Sequence, residues 1–465
     1  MDSNTSRLTV LPAIKIFAYH CSLNYLFLSL MHRLTTAIIL FILSITSLAW
    51  CVYRDIQIEK QYPGDLRNRI LGARLQMDGI SPYYYRWQPG DSLRYYDPEG
   101  AYTRKFSNVT STPFFHQLLY PIANLSQRSI SKLWLFFQYL MLVIMTVLAL
   151  VAGKFARKRL IIIISLLFLY TYAWTTQVDV GQMYLFIPFI AFLLFFFLSG
   201  KHAAFNAAIA GILAATLILI KPTTIVFFIP FILLLPQFSR KYILTAGVSF
   251  LLVLLLAFGS HQSRMYWTDY RHAMKDHISM HQGEPFERIT TAPLPRIKGW
   301  EGWNMDEVEK EATRFHYQYN GEHGNVFVVV NSALHTKLPV TVLALACGAF
   351  ILVLFILYYR KYQKTAMLNL YTVALLGFCF YMATDLFSPV HRFLYNTSQL
   401  IFPLLLIAAL HPVRIPKIYL ALLFLSFLLN TVTIHLLPLQ ASIGEYLAFA
   451  TIIAILFTSK PQPAR

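Results

Sequence analysis

The stretch LWLFFQYLMLVIMTVLALVAGKFARKRLIIIISLLFLY, Leu133–Tyr170, decides how the chain is read. Two apolar runs flank a short loop that holds Lys154, Arg157, Lys158 and Arg159. A surface helix of a soluble protein alternates an apolar stripe with a polar face. These runs are apolar on every face. About 20 such residues carry a helix across ~30 Å of hydrocarbon. The loop between them holds four cations and no acid, as expected of a loop on the cytoplasmic side.

The same pattern repeats outward in both directions. Apolar runs fall at about 34–53, 130–153, 160–178, 183–199, 203–220, 222–237, 242–259, 338–359, 366–387, 397–411, 417–436 and 443–459, roughly twelve spans. The 465 residues are 57% hydrophobic and 13% charged, which a soluble domain rarely approaches. The fold class is therefore an all-α polytopic integral membrane protein. A net charge of +18 would suggest nucleic acid in a soluble chain; here it suits loops that set topology and face anionic lipid, and no nucleic-acid partner is expected. The four cysteines are scattered and show no metal or redox spacing. Residues 1–30 read as an N-terminal extension, with Met31 as a natural start, and 31–465 as one transmembrane domain.

Placing the start of the first span inside puts Arg33, Lys154, Arg157, Lys158, Arg159, Lys201, Arg240, Lys241, Arg360, Lys361, Lys364, Arg414, Lys417, Lys460 and Arg465 inside. Two long polar loops, at about 54–129 and 260–337, then face outward. Among the short outside turns only Lys221 and Arg392 carry Lys or Arg.

The outside segments hold the candidate chemistry. In YPGDLRNR, Tyr62–Arg69, Asp65 follows the first span closely. It reads either as a loop carboxylate paired with Arg67 or Arg69, or as a half-buried general base. STPFFHQLLYPIANLS, Ser111–Ser126, is apolar but too short to span, and reads as a re-entrant or interfacial helix that could roof Asp65. Tyr83, Tyr84, Tyr85 and Trp87 form either an interface belt or a surface for sugar rings. Asp179, Gly181 and Gln182 make a turn that is either a plain cap or a polar floor for a ligand. Lys221, followed by Pro222 at a helix start, is either a snorkelling lysine or part of an anion site. His391, Arg392 and Tyr395 share one late turn, a surface feature or a phosphate site. His277 and His281 are four apart on an amphipathic segment, but no third ligand has metal spacing, so no metal is expected. The chain has no GxGxxG, P-loop, nucleophile elbow or HExxH, so no cofactor is expected and an activated donor would arrive through the lipid.

Taken in order, YPGDL, GISPYY, TPFFHQLLYPIANL, VGQMYLF, IKPTTIVFFIP and SPVHR resemble glycosyltransferase family 87, within the GT-C superfamily. The resemblance covers most of residues 34–410. It implies a GT-C-like bundle in the cell membrane, with its active site on the exoplasmic face. It implies transfer of a hexose, mannose in the well-known members, from a polyprenyl-phosphate donor to a glycan or glycolipid acceptor. The family's catalytic aspartate corresponds to Asp65. Lys221, His391, Arg392, Gln182, Arg67 and Tyr395 are then the expected donor-binding residues. The family's late SP turn usually carries tryptophan and paired histidines, whereas this chain reads Ser388, Pro389, Val390, His391, Arg392. Three rival readings are a lipid-glycan polymerase or ligase, a transporter and a membrane scaffold. A transporter fits poorly with two long outer loops, and a scaffold leaves Lys221 and Arg392 unexplained.

Overall fold

The computed structural model describes residues 31, 35, 38–39, 41–58, 64–88, 90–96, 109–153, 157–200, 203–281, 324–334, 336, 338–362, 368–390, 392–411, 415–432 and 439–458. Residues 1–54 and 55–465 form separate compact units. In the first, the described residues 41–54 are helical. Every element described in the second is helical too, and there is no strand among the described residues.

Among the described residues, four helices are long and apolar enough to cross a membrane: Gln127–Ala152, Arg240–Phe258, Val340–Tyr362 and Gln440–Thr458. Two of them, Arg240–Phe258 and Val340–Tyr362, bury little of their surface against protein, as expected of helices bathed in lipid. Leu370–Leu386 is the opposite case. It is buried along nearly its whole length and forms the centre of the bundle, an apolar helix packed on all sides. Six apolar helices among the described residues, Leu370–Leu386 included, have only 10–17 residues. Among the described residues, single long helices stand at four of the roughly twelve expected positions, or five if one bent pair counts as a span.

That bent pair breaks one expected span in two. The apolar run at 160–178 reads as one span, but the chain forms Lys158–Phe168 and Tyr172–Asp179, bent by 51°. The cause is local. The Thr171 hydroxyl accepts from the Trp174 amide at 3.2 Å and caps a new helix. The Tyr172 amide, which the break removes from its own ladder, donates to the Asn430 carbonyl at 2.8 Å. A break at membrane depth needs such a substitute partner. A second departure is Pro222–Gln237, a 3₁₀ helix of 16 residues, with Pro222 at its start and Pro230 and Pro236 inside. Such helices seldom exceed a few residues. Each internal proline removes an amide donor and crowds the carbonyl four residues back.

Pro113–Ala123 is a helix of 11 residues, capped by Thr112, and it packs on Gly64–Met77. The close approach depends on Gly72, where an added Cβ would lie 2.5 Å from His116 Nε2. Gly72→Ala is therefore expected to force the helices apart and cost about 1–3 kcal/mol, measured as a lowered melting temperature in detergent. Unchanged melting would mean that His116 gives way freely.

Candidate functional site

Asp65 lies in the first turn of Gly64–Met77. A carboxylate there is favoured by the positive end of the helix. The helix start is docked by its backbone: the Asp65 and Leu66 amides both donate to the Val180 carbonyl, at 3.0 and 3.3 Å. Gly181 then takes φ 67°, a left-handed conformation natural to glycine, and turns the chain back so that Gln182 meets Asp65. The Gln182 side-chain NH2 donates to Asp65 Oδ2. One helical turn after Asp65, Arg69 donates through Nη2 to Gln182 Oε1 at 2.6 Å and through Nη1 to the Gly181 carbonyl at 3.2 Å. The Gln182 carbonyl accepts from Gln177 and, at 3.2 Å, from Gln138. Gln182 and Arg69 are buried and Asp65 is half-buried. Arg67 is fully buried.

Behind this group lies His116, fully buried. Its Nε2 is 2.7 Å from the Ser111 hydroxyl, and Tyr83 donates to the Ser111 carbonyl at 2.7 Å. Burial, with the Arg69 charge added, pushes His116 from 6.5 down to about 3. The unfolded chain therefore binds a proton at this histidine below about 6.5, while the folded chain stays neutral until about 3. Stability is lost as pH falls through that window, by up to about 1.4 kcal/mol per unit. His116→Gln is expected to flatten the acid side of a melting-temperature profile between pH 6.5 and 3. A slope that does not change would assign the acid sensitivity to other groups.

The aromatic segment of the first outer loop is stitched to the helix His261–His281. Ser81 donates to Asp269 at 2.6 Å and Tyr84 to Asp276 at 2.5 Å, while the Tyr83 and Tyr270 rings lie 5.8 Å apart. Trp87 donates to the Asp91 and Ser92 carbonyls and packs edge-on against Tyr96. Tyr83 and Tyr84 thus join the two loops, while Trp87 packs within the first. On the same helix His277 Nε2 and His281 Nε2 lie 3.0 Å apart.

A second group forms around Lys221, the residue that ends Ala204–Ile220 and precedes Pro222. Its Nζ donates to Asp385 Oδ1 at 2.6 Å and lies 4.5 Å from the centre of the Tyr184 ring. Arg392 donates from Nε to Asp385 Oδ2 at 2.7 Å and from Nη1 to Glu445 Oε2. Asn396 and Gln399 also donate to Asp385 Oδ2, at 3.4 and 3.3 Å. Tyr395 stacks on Tyr184 with ring centres 5.3 Å apart, and Phe393 stacks on the other side of Tyr395. Burial disfavours the Lys221 ammonium, but the Asp385 carboxylate outweighs it and raises its pKa.

The two cations that break the loop-charge rule are therefore held by carboxylates of the chain itself. Asp385 and Glu445 are not among the residues that the sequence reading singles out. A signal was available: each is the single acid of an otherwise apolar helix, and an ionisable residue at such a place calls for a partner. Arg69, in the sequence a pairing partner for Asp65, sits one helical turn away and reaches Gln182 directly. His391 lies outside the described residues. The two groups meet on one turn: Gln182 touches Asp65, and Tyr184, two residues on, lies under Lys221.

Against known proteins, the model of glycosyltransferase family 87 matches residues 110–389. The matched span contains Gln182, Lys221 and Asp385, and leaves Asp65, Arg67, Arg392 and Tyr395 outside it. No curated protein and no solved structure matches the chain.

Proposed function

The chain belongs to glycosyltransferase family 87, and from that premise we propose that it moves a hexose from a polyprenyl-phosphate donor to a glycan or glycolipid acceptor on the exoplasmic face. As a family member with apolar helices long enough to span, it is a multi-pass membrane glycosyltransferase. The finer reading rests above all on the Gly181–Tyr184 turn, which puts a half-buried carboxylate and a lysine on two sides of one short segment.

In this reading Asp65 removes the proton from the acceptor hydroxyl. The acceptor oxygen forms a bond to the anomeric carbon as the bond from that carbon to the phosphate oxygen breaks. Polyprenyl phosphate leaves from the opposite face, and the configuration inverts. Lys221 lies where the leaving phosphate gains charge and stabilises it. Arg392, fixed between Asp385 and Glu445, offsets the Asp385 carboxylate that Lys221 also faces. Tyr395, stacked on Tyr184, lines the same side, and His391 follows from the sequence alone. Arg67 is assigned to the interior beneath Asp65 rather than to a contact with the sugar. The bundle is proposed to have about twelve spans, with the loops at about 54–129 and 260–337 outside and the cell membrane as its location.

Two experiments test this. A headgroup-resolved lipid analysis of cells with and without the gene is expected to show one polyprenyl-phosphate hexose accumulating when the gene is lost. An unchanged lipid profile would remove the donor assignment. Cysteine placed at Ser92 is expected to react with a membrane-impermeant thiol reagent from outside, and cysteine at Gln363 is not. Cys51, Cys347 and Cys379 are buried, which lowers the background. Reversed labelling would put the site in the cytoplasm and point to a nucleotide-sugar donor.

A further inference from the structure

Gln182 is held from three directions, and only one of its contacts is with Asp65. A side-chain amide has an acceptor end and a donor end of the same shape, related by a half-turn. If this amide flipped, its NH2 would face the Arg69 guanidinium and its oxygen would face the Asp65 carboxylate. Both contacts would become repulsive. Arg69 is itself fixed, because it aims both terminal nitrogens at the 181–182 turn and is buried. We propose that Arg69 is a positioning residue for Asp65: it locks the Gln182 amide so that its NH2 points at the carboxylate. This rests on Asp65 being the base of the proposed transfer. A fixed donor on Oδ2 favours the ionised form of the carboxylate, and it holds the group at one angle to the acceptor hydroxyl. Gln182 thereby orients the base, in place of the sugar-binding role expected from its position in the sequence.

The test is an infrared titration of the Asp65 carboxyl in the full-length protein in detergent. The band is assigned by its loss in Asp65→Asn, and no substrate is needed. Gln182→Leu removes the donor and is expected to move the Asp65 titration up by about one pH unit. Arg69→Gln is expected to move it comparably, because the amide loses its fixed orientation. The double variant is expected to match Gln182→Leu alone, since Arg69 acts through Gln182. Additive shifts would make Arg69 a nearby charge and overturn the inference. An unmoved titration in Arg69→Gln would overturn it as well. Should Arg69→Gln fail to fold, Arg69→Lys in wild-type and Gln182→Leu backgrounds completes the same cycle. Transfer activity of Asp65→Asn is measured separately, so failure of the catalytic reading is distinguished from failure of the relay.

Discussion

Asp65→Asn is expected to insert and fold normally and to lose transfer by roughly 10²–10⁴-fold or more, the range of general-base contributions. The variant keeps the size of the side chain and its helix-start position. It also keeps an oxygen that can accept from Gln182. What it removes is the proton acceptor. The expected signature is a fall in kcat with little change in donor affinity, because the base acts on the acceptor hydroxyl and not on the donor phosphate. Donor affinity is measured by titration with a radiolabelled polyprenyl-phosphate hexose. Near-normal turnover would make Asp65 structural and remove the mechanism.

Arg392→Gln is expected to have the second large effect, and it falls on stability before it falls on donor binding. From the sequence, Arg392 is an outward cation whose replacement should weaken donor binding about 10–100-fold, the worth of one charge-assisted contact. The structure changes the expected order of effects. Arg392 is almost fully buried and bridges two carboxylates, Asp385 and Glu445. Its removal leaves those carboxylates with Lys221 as the nearby cation. Breaking a buried pair of this kind costs about 3–5 kcal/mol, because an uncompensated charge stays in a medium that solvates it poorly. The melting temperature in detergent is expected to fall sharply. Arg392→Gln combined with Glu445→Gln is expected to recover part of the loss, since the stranded charge is gone. Arg392→Lys is expected to recover little, because one ammonium cannot reproduce a fork that spans two acceptors. If the single variant melts like wild type and only donor affinity falls, Arg392 is a ligand contact and the internal pairing is incidental.

What the sequence disclosed and what it concealed follow from the range of the interactions involved. The membrane class was legible because hydrocarbon thickness imposes a length on apolar runs such as 130–153. The family was legible from ordered motifs, and the family model later matched 110–389. The break near Thr171 was not legible, because its stability depends on the Asn430 carbonyl, more than 250 positions away. The partners of Lys221 and Arg392 were hidden for the same reason. Asp385 is 164 residues from Lys221, and Glu445 is 53 from Arg392. Charge counting by loop sees the cations, but it cannot see that acids on two separate helices point at them. Family membership sets the transporter and scaffold readings aside.

The winding of Pro222–Gln237 has a consequence for reach. A 3₁₀ helix rises about 2.0 Å per residue and an α-helix about 1.5 Å. The 16 residues of this segment therefore extend about 32 Å, against about 24 Å if they were α-helical. A segment that looks too short by residue count has the length of the hydrocarbon layer. Its prolines act as a spacer that separates the Lys221 end from the Gln237 end. Relaxing the segment toward α-winding, as Pro230→Ala would permit, would draw those ends together by as much as about 8 Å. Lys221 would be pulled toward the Gln237 end, away from the Asp385 carboxylate that holds it.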